Sequence, residues 1–175
     1  MRLDDNDFAL FGLPERQEQQ RAEIEARWKN LQARVHPDKF AAEGAAAQRL
    51  AMQWALRVNE AHQRLRDPLQ RAAYLCELRG VPLLVNENTR MPASFLMEQM
   101  AWREGLDEAA DAGDAAAVRA IDDEVAAREA ALLAEVRRLL DEAGDTAAAA
   151  QQVRALMFIA KFRSDIDKRL EALEN

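Results

Sequence analysis

Much of the character of this 175-residue chain is set by what it has little of. It holds one cysteine, Cys76, which excludes an intramolecular disulfide framework and suits a reducing compartment. With only two histidines beside that cysteine, no Cys/His set exists for a structural zinc, and neither metal nor cofactor is expected. No run of ~18 apolar residues occurs, so no membrane span is expected. The opening residues, Met1-Arg2-Leu3-Asp4-Asp5, lack the basic-then-apolar layout of a signal peptide, and a cytoplasmic location is expected. Glycine (6) and proline (5) are few, β-branched residues are sparse, and no Val/Ile/Thr alternation stands out. Sheet is therefore disfavoured. Abundant Ala, Leu, Glu and Arg favour helix almost throughout.

A surplus of positive charge is missing too. The net charge is −7. Residues 1–78 carry 12 basic and 12 acidic side chains, whereas residues 79–175 carry 12 and 19. An acidic second half argues against nucleic acid as the main partner.

Proline matters most where it interrupts Val35-His36-Pro37-Asp38-Lys39-Phe40. Pro37 has no amide hydrogen and pushes His36 out of the helical region, so one helix ends near Val35 and another starts beyond the break. Polar groups are thus displayed at a helix–helix turn. The helix before it is predicted over Glu18–Val35, with Ile24, Trp28, Leu31 and Val35 on one face. Arg27 and Arg34, seven apart, share one flank. These cations fit either a solvated face or a basic docking strip beside the turn. The helix after it is predicted over Ala45–Arg66, with Ala47, Leu50, Ala51, Trp54, Val58, Ala61 and Leu65 on one stripe. The two form an antiparallel hairpin with His36-Pro37-Asp38 at its tip. A short helical turn within Asp7–Pro14, stopped by Gly12 and Pro14, packs Phe8, Phe11 and Leu13 onto the hairpin. A last helix of this half runs over Leu69–Leu78, with Pro68 near its first position and Cys76 as a small buried hydrophobe.

Residues 79–92 read as a connector, with Val81, Leu83, Leu84 and Val85 packing between the domains. Three helices follow, over about Ala93–Ala112, Ala115–Ala143 and Ala147–Leu173, in an antiparallel bundle. In the first, Phe95, Trp102, Leu106 and Ala109 share a core face. Leu96, Met97 and Met100 lie ~100–200° around the helix, continued by Glu104 and Glu108. An apolar patch rimmed by acids suits a binding surface. The same spacing also fits a helix buried on both sides. On the last helix Leu156, Ile159, Ile166 and Leu170 face inward, and Phe158 lies off that face.

Short helix, amphipathic helix, His36-Pro37-Asp38-Lys39, amphipathic helix and then Asp67-Pro68-x-x-Arg71-Ala72-x-Tyr74 resembles a J domain. Phe95-Leu96-Met97-Glu98-Gln99-Met100, Arg103-Glu104-x-Leu106-Asp107-Glu108 and Val153-Arg154-x-Leu156-x-Phe158 narrow the resemblance to the HscB-type J-domain co-chaperones of iron–sulfur cluster assembly. The resemblance implies an all-α chain: a J domain over 1–78, a connector over 79–92 and a scaffold-binding three-helix domain over 93–175. It implies a non-enzymatic role, with two protein partners and neither nucleic acid nor membrane. One is an HscA-type chaperone of the DnaK family, whose ATPase is stimulated through His36, Pro37 and Asp38, with Arg27, Arg34 and Lys39 as electrostatic contacts and Asn59, on an outward face, as a weaker one. The other is an IscU-type scaffold held by Leu96, Met97, Met100, Glu104, Glu108 and Phe158. The chain departs from the family pattern at Ala101, where an acid is usual, and at Asp7, where an aromatic often precedes Phe8. Two other classes remain to be weighed. A hydrolase or metalloenzyme using His36, Asp38 and His62 lacks a nucleophile or third ligand at motif spacing. A general J-protein with a different client would not need the Leu96/Met97/Met100/Phe158 patch.

Overall fold

The computed structural model describes residues 1–84 and 91–175, and among these it is all helix and turn. They form two compact units, Met1–Leu75 and Cys76–Asn175, each treated by itself below.

The first unit is built on the hairpin of α2 (Arg21–Val35) and α3 (Ala45–Arg66). Between them Pro37–Glu43 forms a 3-10 turn, ended by Gly44 at φ 98°. The apolar stripes meet: Ile24, Leu31 and Val35 of α2 and Ala51, Val58, Ala61 and Leu65 of α3 are buried. Two stripe positions differ from expectation. Trp28 is half-buried, and its indole N–H donates to Asn59 Oδ1 at 3.0 Å. Leu50 stays 48% exposed, since its turn of α3 lies beside the 3-10 segment and lines a groove there. Asn59, expected to face outward, instead accepts from both Trp28 and Gln32 Nε2 (3.0 Å), and so joins α2 to α3. His62 is buried, stacked on Trp28 at a centroid distance of 4.2 Å, with Nε2 2.9 Å from Glu25 Oε1. That hydrogen bond holds the Glu25 carboxyl below its ordinary pKa.

α1 (Asp7–Phe11) is capped by Asn6, whose side chain accepts from the Ala9 amide, and closed by Gly12 at φ 64°. It buries Phe8, Phe11 and the following Leu13. Its first residue carries the least expected contact. Asp7 has no solvent exposure and lies between two arginines of α3, with Arg57 Nη1 2.7 Å from Oδ1 and Arg64 Nε donating to Oδ2 at 2.7 Å. The Asp7 amide donates to Tyr74 Oη at 3.0 Å, and burial raises the phenol pKa. An acid here, where the family pattern favours an aromatic, is thus the counter-ion of α3. α2 starts at Arg21 rather than Glu18 because the preceding residues are tied to α4 (Pro68–Leu78). Gln17 Nε2 donates to the Pro68 carbonyl (2.8 Å) and Arg71 Nε donates to the Gln17 carbonyl (2.9 Å).

The second unit holds the last turn of α4 and a bundle of α5 (Ala93–Asp111), α6 (Ala115–Arg137) and α7 (Thr146–Glu174). Asp114 and Asp145 cap α6 and α7, each accepting from the amide three residues on. α6 does not continue as α-helix to Ala143. Arg138–Ala143 is a π turn, closed by Gly144 at φ 64°. The wider turn buries the adjacent Leu139 and Leu140 together, and the Leu140 carbonyl accepts from Arg79 Nη1 at 2.7 Å. Val118, Val125, Leu132 and Val136 fill the core of α6, while Ile121 is half-buried. Leu156, Ile159 and Ile166 fill that of α7, with Phe162 added and Leu170 at its half-exposed margin. Leu83 is buried, its carbonyl accepting from Arg154 Nη1 (3.2 Å), but Leu84 is 50% exposed, against expectation. Val85 lies outside the described residues. Cys76 is buried, and burial pushes its thiol pKa up to about 11, which leaves the thiolate unformed at neutral pH.

The Asp7 contact generates a stability prediction. Asp7→Ala strands two arginines and is expected to cost about 3 kcal/mol, toward the lower end for a broken buried pair because both guanidiniums reach solvent. Urea unfolding followed by circular dichroism measures it. An unchanged midpoint would show that the buried carboxylate contributes nothing net.

Candidate functional site

Two surfaces display the side chains singled out by sequence. The first is the tip of the α2–α3 hairpin. His36 has φ −61° and ψ 127°, the extended conformation imposed by Pro37, which starts the 3-10 turn. The His36 Nδ1 accepts from the Asp38 amide at 3.3 Å and lies 3.6 Å from Asp38 Oδ2, and the His36 carbonyl accepts from the Lys39 amide at 3.1 Å. The imidazole thus folds back over its own turn. The Asp38 carboxylate is 91% exposed and points to solvent, with no Lys or Arg paired to it among the described residues. Chemically it is an acceptor with room for a cation. Lys39 and Arg34 are exposed and have no carboxylate partner among the described residues.

Arg27 differs. Its Nη1 donates to the Phe11 and Gly12 carbonyls (both 3.3 Å) and its Nη2 to Glu23 Oε1 (3.1 Å). A Cβ at Gly12 would meet Nη1 at 2.8 Å, so glycine lets the guanidinium close on the end of α1. Arg27 is therefore a C-terminal clasp for α1 as well as a surface cation. Arg27 and Arg34 line one shallow polar pocket with Asn30 and the end of α1, which brings the two flank cations together. Beside the turn runs a mainly apolar groove of about 300 Å³, lined by Val35, Phe40, Leu50 and Trp54 among others.

The second surface is on α5. Phe95, Trp102, Leu106 and Ala109 are buried on one side. Phe95 meets Trp102 edge-on at 6.2 Å and Phe158 at 6.1 Å, Trp102 stacks with Phe162 at 6.2 Å, and Phe158 with Phe162 at 6.4 Å. The other side is left open: Leu96 is 45% exposed and Met97 and Met100 are each 72% exposed. Glu104 and Glu108 extend this side as exposed acids. Burial on both sides, the alternative the spacing allowed, is not what the helix adopts. Phe158, half-buried, joins the two faces through its contact with Phe95. One residue that periodicity did not single out completes the surface: Arg103, exposed, has its guanidinium carbon 5.4 Å from the Phe158 ring centroid and 5.5 Å from that of Phe162. Its place at the head of Arg103-Glu104-x-Leu106-Asp107-Glu108, three residues beyond Met100, is the signal that could have suggested it.

Among the described residues, no three His, Cys, Asp or Glu side chains are grouped to hold a metal, and no helix is long and apolar enough to cross a membrane. His36 and Asp38 lie on the first unit's surface, whereas His62 is buried between α2 and α3, so the three do not assemble into one centre.

Residues 91–167 match the family described as the HSCB C-terminal oligomerisation domain. The chain is 45% identical over 173 residues to the co-chaperone protein HscB homolog of Paraburkholderia phytofirmans, covering 99% of this chain and 98% of that protein. It is 46% identical over 168 residues to that of Azoarcus sp. strain BH72, covering 96% and 95%. Among solved structures it is similar to the chaperone HscB from Vibrio cholerae, with a TM-score of 0.84, 36% identity and coverage of 97% and 99%. The fold is also that of the human co-chaperone protein HscB, with a TM-score of 0.89 at 24% identity, covering 97% of this chain and 84% of that one.

The exposure of the methionines yields a chemical prediction. Dilute hydrogen peroxide is expected to convert Met97 and Met100 to sulfoxides several-fold faster than the half-buried Met157, with the helical circular dichroism retained. Peptide mass spectrometry reads the order, and equal rates would mean that the α5 surface is covered in solution.

Proposed function

This chain belongs to the HscB family, and from that premise we propose that it is a cytoplasmic, non-enzymatic co-chaperone of iron–sulfur cluster assembly. In this reading residues 1–78 are a J domain that docks on an HscA-type chaperone of the DnaK family and stimulates its ATPase. Residues 93–175 hold an IscU-type scaffold protein and deliver it to that chaperone. Residues 79–92 connect the two.

The observation that carries the reading is the open side of α5. A helix with a complete aromatic core face still leaves Leu96, Met97 and Met100 in water, rimmed by Glu104 and Glu108. Exposed apolar surface of this kind is retained where a partner covers it. Methionine side chains adapt to the partner's shape, and the acids select a partner with basic groups around an apolar centre. Phe158 supplies an aromatic anchor beside them.

On the chaperone side His36, Pro37 and Asp38 are docking groups. Pro37 fixes the turn before encounter, so little entropy is lost on binding. Asp38 offers its free carboxylate to a cation of the chaperone, while Arg34, Lys39 and the outer edge of Arg27 steer the turn toward an acidic surface. The bond-breaking step occurs in the chaperone's own ATP site. The contribution of this chain is to bind both proteins at once, which raises the scaffold's effective concentration at the chaperone's peptide site.

Two variants separate the sites. Asp38→Asn is expected to abolish stimulation of HscA-type ATPase turnover in a steady-state assay while leaving calorimetric binding of the scaffold unchanged. Equal loss of both would sink the two-site reading. Leu96→Ala combined with Phe158→Ala is expected to weaken scaffold binding by more than ~2 kcal/mol, as for central anchors. Met97→Ala, which removes only exposed atoms, controls for damage to the core. If these variants bind the scaffold with the affinity of the unaltered protein, the patch assignment is refuted.

A further inference from the structure

We propose that the outward face of α3 is a self-association surface, on which a second copy of this chain docks with its own α3 antiparallel. The surface belongs to the first unit, so the inference does not depend on the reading of α5.

α3 buries Ala51, Val58, Ala61 and Leu65 on one side. On the opposite side Ala45, Arg49, Met52, Leu56, Glu60 and Gln63 fall within about 80° of one another around the helix. All six are exposed, Met52 at 55% and Leu56 at 63%. Their spacing of three or four residues is that of a seam between two packed helices. Within the first unit α3 packs on α1, α2 and the 3-10 turn, and this side stays open.

Charge selects what covers it. Arg49 and Glu60, near the two ends of the face, have no ion-pair partner among the described residues. Arg57 and Arg64, on the neighbouring flank, both face Asp7 instead. In an antiparallel pair related by a two-fold axis, each residue meets the one equally far beyond the axis. An axis crossing α3 at the level of Trp54 sets Met52 of each copy on Leu56 of the other, and Ala45 on Gln63. The same axis brings Arg49 to Glu60 within one residue of register. One operator thus gives an apolar centre of four side chains with an ion pair at either end. A parallel pair would set arginine against arginine and glutamate against glutamate, and a partner of one sign would be repelled at one end.

The face of one helix falls below the roughly 1,200 Å² of a stable interface, so the dimer is a reversible one, with a dissociation constant above about 1 μM. Antiparallel pairing puts the two His36-Pro37-Asp38 turns at opposite ends of the paired helices, about 30 Å apart along their length, and neither turn lies in the seam.

Sedimentation velocity of the full-length protein, from low micromolar to sub-millimolar concentration, tests this. The unaltered protein is expected to shift from monomer toward dimer as concentration rises, and added salt to oppose the shift. Leu56→Lys, which alters an exposed position, is expected to weaken the dimer about tenfold or more. Arg49→Glu and Glu60→Arg, each alone, set like charges across the axis and are expected to weaken it several-fold. Combined in one chain they reverse both ion pairs and are expected to restore the association, which a damaged fold would not do. A protein that stays monomeric across the range overturns the proposal. So does a dimer that the single variants leave unchanged, since its interface then lies elsewhere in the chain. A double variant that associates no better than either single one overturns the antiparallel pairing, and with it the proposal.

Discussion

Pro37 has no amide hydrogen, and its ring forbids the residue before it a helical conformation. α2 therefore stops at Val35, whatever the helical propensity of the sequence on either side. The chain turns through one 3-10 segment and returns as α3, with its apolar stripe against that of α2. Everything in the first unit follows from that register. It places Asn59 under Trp28 and Gln32, stacks His62 on Trp28, and sets Arg57 and Arg64 opposite Asp7. It also leaves His36 and Asp38 at the tip, their only mutual support being short contacts within the turn itself. The rigidity of the tip and its exposure thus have one cause.

Polar pins then fix what apolar stripes leave loose. Stripes set which faces meet, but a helix can still slide or rotate by a fraction of a turn. Buried hydrogen bonds remove that freedom, because a misplaced donor or acceptor costs about as much as a bond gains. Asp7 locks α1 to α3, Arg27 closes on the end of α1 from α2, and Arg71 ties the segment before α2 to α4. In the second unit the Arg79 bond to the Leu140 carbonyl and the Arg154 bond to the Leu83 carbonyl do the same for the residues that follow α4. Each pin joins residues far apart in sequence.

That is why the sequence was legible in one respect and silent in another. Helix periodicity and the Pro37 break were enough to locate α1 to α7 and most of the core, and α3 starts and ends where its pattern does. The pins were not readable. Asp7 looked like a departure at an aromatic position and Asn59 like an outward polar residue, since nothing in a 3.6-residue period marks a group whose partner is dozens of residues away. The π turn at Arg138 was hidden for a related reason: Leu139-Leu140 reads equally well as the end of an ordinary helix. Of the candidate sites, the exposed turn was predictable from chain stiffness. The openness of the Leu96/Met97/Met100 side was not, because spacing gives the angle of a face and says nothing about what covers it.

Packing decides that last point. In a three-helix bundle each helix has two neighbours, and their contacts cover only part of its circumference. On α5 the covered part is taken by Phe95, Trp102 and Leu106, whose rings and chains fill the space toward Glu124 of α6 and Phe162 of α7. Among the described residues no further helix of the second unit covers the opposite side, so Leu96, Met97 and Met100 stay in water at a cost of roughly 25 cal/mol for each Å² of apolar surface left open. Charges on both flanks, Glu104 and Glu108 on one and Arg103 on the other, keep this strip from being a uniformly apolar surface. The same charges restrict which surface can cover it. A helix built only for stability would carry polar residues on that side. The apolar strip and its charged rim together have the composition of a partner-binding surface rather than of a solvated helix face.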